Sequence, residues 1–404
     1  MHDEHPEARF IVETLAKAGF AAYYAGGWVR DYLLKHPSDD IDIATNAPPE
    51  TIQALFPKTV PIGLAFGIIL VLVNHKKFEV ATFRTDQEYK DGRRPTKIAF
   101  TTAEEDAKRR DFTINGLFYD PLKDHILDFV EGKKDLEKKV IRSIGNPHQR
   151  IKEDRLRMIR AIRLACRLRF TIEEETILAI KDHALELFPA VAIERVWQEF
   201  CKMAAFPGFD KALIMLHECT LLGTIFPELR DLPVEEIKNC VKAIEDFPTD
   251  TPVIAYLLEL FPGYSLEKRL ALCSYLKLSN FEIQFVRFFS ESEKLLQKRN
   301  VEDYEWAYFY ANHLSTKCIH IFACKIALHF RKEYLKNHEM KKKSLEQAIC
   351  RIQKKKTIVT SEHLKNRGIP PGPDMGKLLK EAERIAINEN LQDAETILNR
   401  LLHK

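Results

Sequence analysis

The spacing of apolar residues changes partway along the chain, and this change limits the possible folds more than any other sequence feature. Up to about residue 140, short strand-like runs alternate with helical segments: residues 66–73 (FGIILVLV) form a continuous apolar run, and residues 78–83 alternate. Beyond residue 153 apolar residues recur every three or four positions, as on an amphipathic helix. The sequence predicts an α/β head followed by a long all-α remainder.

Length and composition are those of a folded protein with several compact units. The 404 residues are 45% hydrophobic and 30% charged, a balance typical of globular proteins. No apolar run approaches the roughly eighteen residues of a membrane span, and residues 1–6 carry neither a secretory nor a transit pattern. Eight cysteines without CxxC pairs favour reduced thiols over a zinc site. We therefore expect a cytoplasmic protein without a membrane segment.

The densest group of chemistry-bearing residues lies within residues 25–45, where AGGWVRD precedes SDDIDIAT. Residues 20–24 are predicted to form a strand that enters a two-glycine turn, and residues 28–34 the helix that leaves it. Glycines let backbone N–H groups approach a phosphate at the positive end of a helix, and Arg30 offers a bidentate contact. Two glycines alone fit an ordinary strand–turn–helix better.

Asp40 and Asp42 make a catalytic interpretation more specific. Residues i and i+2 of a strand point to one face, so the two carboxylates converge, and they repel unless a cation lies between them. Mg²⁺, bound by carboxylates and substrate phosphates, is the expected cation. Two such ions can activate an attacking hydroxyl and stabilise the leaving oxygen in phosphoryl transfer. Together with the upstream glycines and Arg30, the pair predicts phosphoryl-transfer chemistry.

Six motifs follow one another in an order that identifies a family. They are GGWVRD, DDIDIAT, FEVATFR, YKDGRRP, KRRDFTIN and EDRLRMIRAIR. In this order they resemble the bacterial class II tRNA nucleotidyltransferase and poly(A) polymerase family, whose head is similar to DNA polymerase β. The resemblance covers nearly half of the chain, and the helical remainder is similar to that family's body and tail in length and texture.

The resemblance implies an α+β polymerase-β-like nucleotidyltransferase head and an all-α neck, body and tail in an elongated multidomain protein. The implied segments are a catalytic head (1–140), a neck that recognises the nucleotide base (141–210), a body (211–300) and a tRNA-binding tail (301–404). The implied activity is template-independent addition of CCA, from CTP and ATP, to the 3′ end of tRNA, with release of pyrophosphate. The oligomeric state is not indicated.

Three alternative functions stand beside this one. They are an enzyme that adds only A, a poly(A) polymerase, and a catalytically silent RNA-binding protein. Poly(A) polymerases of the family tend to carry a GRRF-type stretch where this chain has residues 62–67 (IGLAFG), which favours CCA addition. Intact Asp40, Asp42, Arg30 and Asp154 argue against a silent protein. The only His-Asp dipeptide is at residues 2–3, so no phosphohydrolase domain is predicted.

The resemblance also assigns roles in the head position by position. Gly27 and Arg30 match the triphosphate-binding turn, Asp40 and Asp42 the metal ligands, and Arg110 a nucleotide contact. Other head positions have weaker assignments. Glu79 is either a third carboxylate near the metals or a solvent-facing strand residue. Asn115-Gly116 stands where the family usually has Asn-Ala, and we expect the change to be harmless.

Residues 153–163 (EDRLRMIRAIR) are predicted to form a helix on which Asp154 shares an apolar face with Met158, Ala161 and Ala165. A carboxylate on an apolar face is costly unless it is paired. An internal Asp154–Arg157 ion pair at i, i+3 is one explanation.

Recognition of the incoming base is the other explanation. Cytosine and adenine each present an amino donor beside an acceptor ring nitrogen, which an Asp acceptor and an Arg donor satisfy. Uracil and guanine would leave both protein groups unpaired, at a cost sufficient for discrimination. The resemblance assigns this role to Asp154 and Arg157, with Arg160 and Arg163 nearby. Helical periodicity places Arg160, Arg163 and Arg167 on a different face, so phosphate or RNA contacts are open for them.

Three further segments carry expectations. In the family, a loop such as residues 89–95 (YKDGRRP) helps the enzyme accept A after C, which argues against a CC-only enzyme. Residues 192–200 are predicted to brace the nucleotide-binding helix through Glu194, Arg195 and Glu199. Residues 331–370 hold twelve Lys and Arg against four Glu, including Lys354, Lys355 and Lys356, and are predicted to contact tRNA phosphates.

Overall fold

The computed structural model of the protein describes residues 5–36, 38–63, 66–89 and 95–402. The strands are β1 (Ala22–Ala25), β2 (Asp42–Thr45), β3 (Thr59–Gly63), β4 (Ile68–Val73), β5 (Lys76–Thr82), β6 (Arg84–Tyr89), β7 (Pro95–Phe100), β8 (Leu117–Asp120), β9 (His125–Asp128), β10 (Val140–Ile141) and β11 (Thr171–Ile172).

The helices of the N-terminal part are α1 (Pro6–Lys17), α2 (Gly27–Leu33), α3 (Pro49–Leu55), α4 (Ala103–Lys108), α5 (Gly132–Lys138), α6 (Pro147–Glu153), α7 (Leu156–Leu168), α8 (Glu174–His183), α9 (Ile193–Ala204), α10 (Phe209–Glu218) and α11 (Leu221–Ile225). Those that follow are α12 (Val234–Val241), α13 (Val253–Leu258), α14 (Leu266–Tyr275), α15 (Asn280–Leu296), α16 (Asp303–Ala311), α17 (Ser315–Cys324), α18 (Leu328–Ser344), α19 (Glu346–Gln353), α20 (Ser361–Asn366), α21 (Pro373–Asn388) and α22 (Ala394–Leu402).

A mixed seven-stranded sheet forms the head, in the order β3-β4-β5-β2-β1-β8-β9. β2 and β5 run parallel, and the other neighbours are antiparallel. The strands predicted over residues 66–73 and 78–83 correspond to β4 and β5, where Ile69, Val71 and Val80 are fully buried. The alternation of these side chains with exposed ones explains why this part of the chain forms a sheet rather than helices.

A separate hairpin, β6–β7, lies between β5 and β8 along the chain. The predicted loop at residues 89–95 connects its strands, but residues 90–94 lie outside the described part of the chain. Behind the central strands, a cluster of Ala25, Ala44, Phe83, Ala107 and Phe118 packs the sheet against α4 and the hairpin base. This core fixes the strand ends that carry the polar residues discussed below.

Beyond residue 140 the chain is almost entirely helical, as predicted, apart from the two-residue strands β10 and β11. Proline and glycine residues occupy gaps between helices, for example residues 207–208 between α9 and α10, and residues 370–372 before α21. The observed α+β head and helical remainder therefore confirm the predicted fold class.

The chain divides into two compact units, residues 1–239 and 240–404. In the second unit, one apolar cluster centres on α16 and α19, and another on α20, α21 and α22. The four predicted segment boundaries stay a prediction. No described helix is long and apolar enough to cross a bilayer, and none of the eight cysteines, all of which lie in the described ranges, forms a disulfide.

Candidate active site

The two-glycine turn joins the end of β1 to the start of α2. Gly26 has φ +69°, and a Cβ placed there would lie 2.9 Å from Nη1 of Arg110. The backbone conformation therefore requires glycine at this position, and the absence of a side chain also leaves room for Arg110. Gly27, which the sequence assigned to the triphosphate, is the first residue of α2 and adjoins the Arg30 guanidinium.

Asp42 is the first residue of β2, and Asp40 lies two residues before the strand. In the sheet Asp42 is flanked by Ala25 of β1 and Glu79 of β5. Asp42 is exposed at the surface, yet the surrounding protein atoms, followed by the negative charges of Asp40 and Glu79, raise its pKa to about 6. Trp28 fixes the preceding segment by donating Nε1–H to the Ser38 carbonyl at 3.0 Å.

This crowding of carboxylates suits a divalent cation, which would remove the repulsion that raises the pKa of Asp42. No group of three or more His, Cys, Asp or Glu is placed to hold a metal ion within the described ranges. The protein therefore offers a pair of carboxylates, Asp40 and Asp42, rather than a closed protein cage. Such an open set matches Mg²⁺, which keeps waters and takes further oxygen ligands from substrate phosphates.

A cavity of about 710 Å³ opens between the head sheet, α2, α7 and α9. All nine residues predicted to form the site line it: Gly27, Arg30, Asp40, Asp42, Arg110, Asp154, Arg157, Arg160 and Arg163. Its wall carries eight basic and five acidic side chains, an excess of positive charge that suits a polyanionic ligand such as a nucleoside triphosphate. Glu79 is not among the lining residues, although it neighbours Asp42.

Arg30 is almost fully buried and is held by the protein rather than free in the cavity. Its Nε–H donates to Asp31 at 2.9 Å and its Nη1 to Asn115 at 2.6 Å. Asp31 also accepts from Arg167 of α7 at 2.9 Å. Burial lowers the pKa of Arg30, Asp31 counteracts this, and Arg167 and Arg163 add repulsion. A phosphate would relieve that repulsion, so the part of the cavity around Arg30, Arg163 and Arg167 is suited to binding anions.

Asp111 ties the head to α7. Its carboxylate lies 2.6 Å from Arg160 and accepts a hydrogen bond from Asn115 at 3.0 Å. Burial by itself would raise the pKa of Asp111, but Arg160, Asn115 and Arg157 outweigh it and lower the pKa to about 2. Arg160 is thus a partner of Asp111 as well as a cavity-lining residue.

The predicted position of Asp154 on a helix face is wrong. α6 ends at Glu153 and α7 begins at Leu156, so Asp154 lies in the turn between them, with extended backbone (φ −145°, ψ 101°). Its carboxylate accepts from Leu156 N–H at 3.2 Å and faces the Arg195 guanidinium at 3.4 Å. Freed from helical geometry, Asp154 points into the cavity rather than onto an apolar face.

Arg157 has partners other than Asp154. It donates to the Arg150 carbonyl at 2.5 Å, to Glu153 at 2.9 Å and to the Arg109 carbonyl at 3.4 Å. Among the described contacts of the two residues, the internal Asp154–Arg157 ion pair considered above does not occur. Each residue is anchored separately, and both line the cavity.

The arginines on α7 all face the cavity, because their spacing of three or four residues keeps them on one side of the helix. Arg160, Arg163 and Arg167 line it together with Arg157, over about 15 Å of helix. Arg163 is fixed by buried Glu199 of α9 at 2.6 Å. Glu199 thus connects α9 to α7, and Arg195 connects α9 to the turn before α7, as predicted for these two residues.

Several cavity residues were not predicted from the sequence. They are Asp31, Asp111, Asn115, Arg167 and Phe206, the last lying under Arg167 at 4.4 Å from ring centroid to guanidinium. Asp111 and Asn115 fall within the KRRDFTIN motif, so this motif could have indicated that both residues belong to the site.

Gly116, which stands where the family usually has alanine, is closely surrounded by other side chains. A Cβ at this position would lie 2.6 Å from Cγ2 of Val130 and 3.2 Å from Cδ1 of Ile144. An alanine here would force Val130 or Ile144 to shift, whereas glycine leaves room for both side chains.

Three family profiles match consecutive parts of the chain. The Poly A polymerase head domain matches residues 22–142, the probable RNA and SrmB-binding site of polymerase A residues 169–232, and tRNA nucleotidyltransferase domain 2 residues 246–402. Together they cover the head and most of the helical remainder.

Whole-chain similarity leads to the same group of proteins. The chain is 34% identical to a CCA-adding enzyme of Streptococcus mutans over 96% of this chain and 94% of that protein. It is 32% identical to one of Pediococcus pentosaceus, over 100% and 99% of the two chains. The crystal structure of the Bacillus stearothermophilus CCA-adding enzyme in complex with CTP superposes with a TM-score of 0.83, at 26% identity, covering 99% and 98% of the two chains.

Proposed function

The chain belongs to the family of CCA-adding tRNA nucleotidyltransferases, and we propose that the cavity described above joins CMP, CMP and AMP units to the 3′ end of tRNA. The substrates are tRNA, CTP and ATP, no nucleic-acid template is used, and pyrophosphate is released. Given these substrates, the proposed place of action is the cytoplasm. The head is proposed to hold the chemistry, and the neck helices to select the base.

One observation carries this proposal. A single cavity combines a carboxylate pair, a cationic phosphate-binding corner and an Asp/Arg pair, all supplied by the protein. The first feature suits metal-assisted transfer, the second a triphosphate, and the third the shared hydrogen-bonding edge of cytosine and adenine. With base selection built from side chains, a template strand is unnecessary.

Asp40 and Asp42 are proposed to hold Mg²⁺. When bound, the ion promotes deprotonation of the attacking 3′-hydroxyl and stabilises charge on the transferred phosphoryl group and the leaving pyrophosphate. Arg30 is held rigid by Asp31 and Asn115 and is proposed to orient the triphosphate. The Gly26-Gly27 turn lets the backbone come close to phosphate oxygens.

Asp154 and Arg157 are proposed to read the base edge. The contacts of Asp154 with Arg195, at 3.4 and 3.5 Å, are long for charge-assisted hydrogen bonds, as is that of Arg157 with the Arg109 carbonyl at 3.4 Å. A base with an amino donor and an acceptor nitrogen can therefore compete for these groups. Uracil and guanine cannot satisfy either group, which excludes them from the site.

The basic residues at the end of α19 are proposed to bind tRNA phosphates. Lys354, Lys355 and Lys356 follow the helix directly and are exposed. In the described part of the chain none of the three forms an ion pair with a carboxylate, whereas Lys341 of α18 is paired with Asp303 at 2.5 Å. Three unpaired cations on one turn make a suitable contact for an RNA backbone.

Replacing Lys354, Lys355 and Lys356 with glutamine should flatten the salt dependence of tRNA affinity. Each lost phosphate contact reduces the slope of log K against log[salt] by about 0.7–0.9, so a decrease of up to about 2 to 3 is expected. Filter binding from 50 to 300 mM salt, roughly the range over which such contacts weaken, measures the slope. A variant with Lys123, Lys133 and Lys134 of the head replaced is the control of equal charge, and equal slopes for the two variants would contradict the assignment.

The proposed function is tested by incubating the protein with tRNA that lacks its CCA, with labelled CTP and ATP. We expect incorporation of both nucleotides and release of pyrophosphate. A chelator should stop the reaction and excess Mg²⁺ restore it, because the carboxylate pair cannot by itself neutralise the developing charge. Incorporation of neither nucleotide, or undiminished incorporation in the chelator, would contradict the proposal.

A further inference from the structure

The turn that carries Asp154 is anchored by a residue that does not line the described cavity. Arg155, the residue between α6 and α7, donates one guanidinium N–H to the Lys152 carbonyl at 3.0 Å and another to Glu186 at 3.1 Å. Its side chain is only 20% exposed. The Arg155 guanidinium thus links the turn to the end of α6 and to the segment that contains Glu186.

Glu186 is itself held in place. It belongs to a 3₁₀ turn, Ala184–Glu186, directly after α8, and its second carboxylate oxygen lies 3.0 Å from Nδ1 of His183. Nε2 of His183 is in turn 3.2 Å from Nδ1 of His148 on α6. The hydrogen bond with His183 is the main cause, with Arg155 contributing, of a lowered pKa for Glu186, which keeps this carboxyl ionised. The four side chains join the start of α6, the turn and the end of α8.

The turn needs such an anchor because it breaks the helix without glycine or proline. The last carbonyls of α6 lose their helical partners where the chain becomes extended at Asp154, and Arg155 supplies a donor to one of them. The direction of the Asp154 carboxylate depends on this backbone geometry. A displacement of about 1 Å is enough to impair an active-site contact.

We propose that Arg155, held by Glu186, is a positioning residue that sets the selectivity of the site for CTP and ATP over UTP and GTP. The proposal rests on the proposed function, in which Asp154 reads the base. Arg155 is not proposed to contact a substrate. It holds the backbone of the turn, whereas Arg195 contacts the carboxylate of Asp154. Loosening the turn should therefore affect discrimination more than turnover.

The test is the ratio of kcat/KM for CTP to that for UTP with tRNA lacking its CCA. Arg155→Met keeps the aliphatic stem and removes both hydrogen bonds, and it should lower the ratio about tenfold, with kcat for CTP reduced less than about threefold. Arg155→Lys retains a cation that can reach Glu186 and should recover part of the ratio. Lys238→Met, which removes the exposed ion pair with Glu235 at 2.7 Å, is the matched control and should keep the wild-type ratio.

Two further variants separate the possible failures. If Arg155→Met is too unstable to assay, Glu186→Gln replaces a half-exposed carboxylate by its isostere and should lower the ratio about threefold. An unchanged ratio in the folded Arg155 or Glu186 variant, with only a lower Tm, would overturn the positioning role. If Asp154→Ala relaxes selectivity in parallel while these variants do not, only this inference fails; if Asp154→Ala also keeps the ratio, the base-reading proposal itself is wrong.

Discussion

Replacing both Asp154 and Arg157 with alanine is expected to reduce discrimination between CTP and UTP about 100-fold. In the wild type, uracil leaves an acceptor and a donor unpaired, each at about 1–3 kcal/mol, and about 1.4 kcal/mol corresponds to a factor of ten. Removing the two groups removes these penalties along with the favourable bonds to cytosine. Incorporation of all four nucleotides, one at a time, measures the change.

The double variant also loses structural contacts, so a second variant is needed. Arg157 anchors Glu153 and the Arg150 carbonyl, and its loss should lower the Tm. Asp154→Asn keeps the shape and replaces the acceptor edge with a mixed donor and acceptor, so it should improve UTP use at nearly wild-type stability. Wild-type preference for CTP and ATP in a folded Asp154→Asn enzyme would show that the carboxylate does not read the base.

Replacing Asp40 or Asp42 with asparagine is expected to lower nucleotide addition by about 1,000-fold or more. Metal-held charge contributes several kcal/mol to the transition state, and about 1.4 kcal/mol corresponds to a factor of ten. Binding of tRNA should persist, since the proposed phosphate contacts are made by Lys354, Lys355 and Lys356 and not by these carboxylates. Glu79→Gln is the matched control: this residue neighbours Asp42 in the sheet but does not line the cavity, and a loss below about tenfold is expected.

Stability separates a catalytic from a structural role for Asp42. Its raised pKa means that holding the ionised carboxylate costs the fold free energy, so without divalent metal Asp42→Asn should have an equal or higher Tm than wild type. The difference should shrink as pH falls from 7 through about 6 towards the ordinary value of 3.8, because the folded wild type takes up the proton first. A variant with lower Tm throughout would assign Asp42 to structure instead.

The carboxylate pair and the two-glycine turn could be predicted from the sequence because their geometry is local. Asp40 and Asp42 are separated by a single residue, and the glycine turn involves a few consecutive residues, although only Asp42 lies on strand β2. The partners of Arg30 and Asp31 could not be found in this way. Asn115 is 85 residues from Arg30, and Arg167 is 136 residues from Asp31. Only tertiary packing of the head against α7 makes them neighbours.

In residues 153–163 the helical spacing of the apolar residues led to a wrong prediction. Residues 153–163 keep a helical spacing without glycine or proline, so a continuous helix was predicted through Asp154. The break there is stabilised by side chains from elsewhere, with Glu186 and Arg195 more than thirty residues away. Because Asp154 is not part of α7, the face that was predicted for the α7 arginines relative to Asp154 does not apply. These arginines line one cavity together with residues of α9 and the head.

The most direct test of CCA addition by one site is to size the products formed on three tRNAs, ending before the first C, after CC and after CCA. With CTP alone, the first tRNA should gain two residues and stop; with ATP alone, only the tRNA ending in CC should gain one residue. The tRNA that already ends in CCA should gain none. Addition of A without C, or of a long A tail, would contradict this account and identify an A-adding enzyme or a poly(A) polymerase instead.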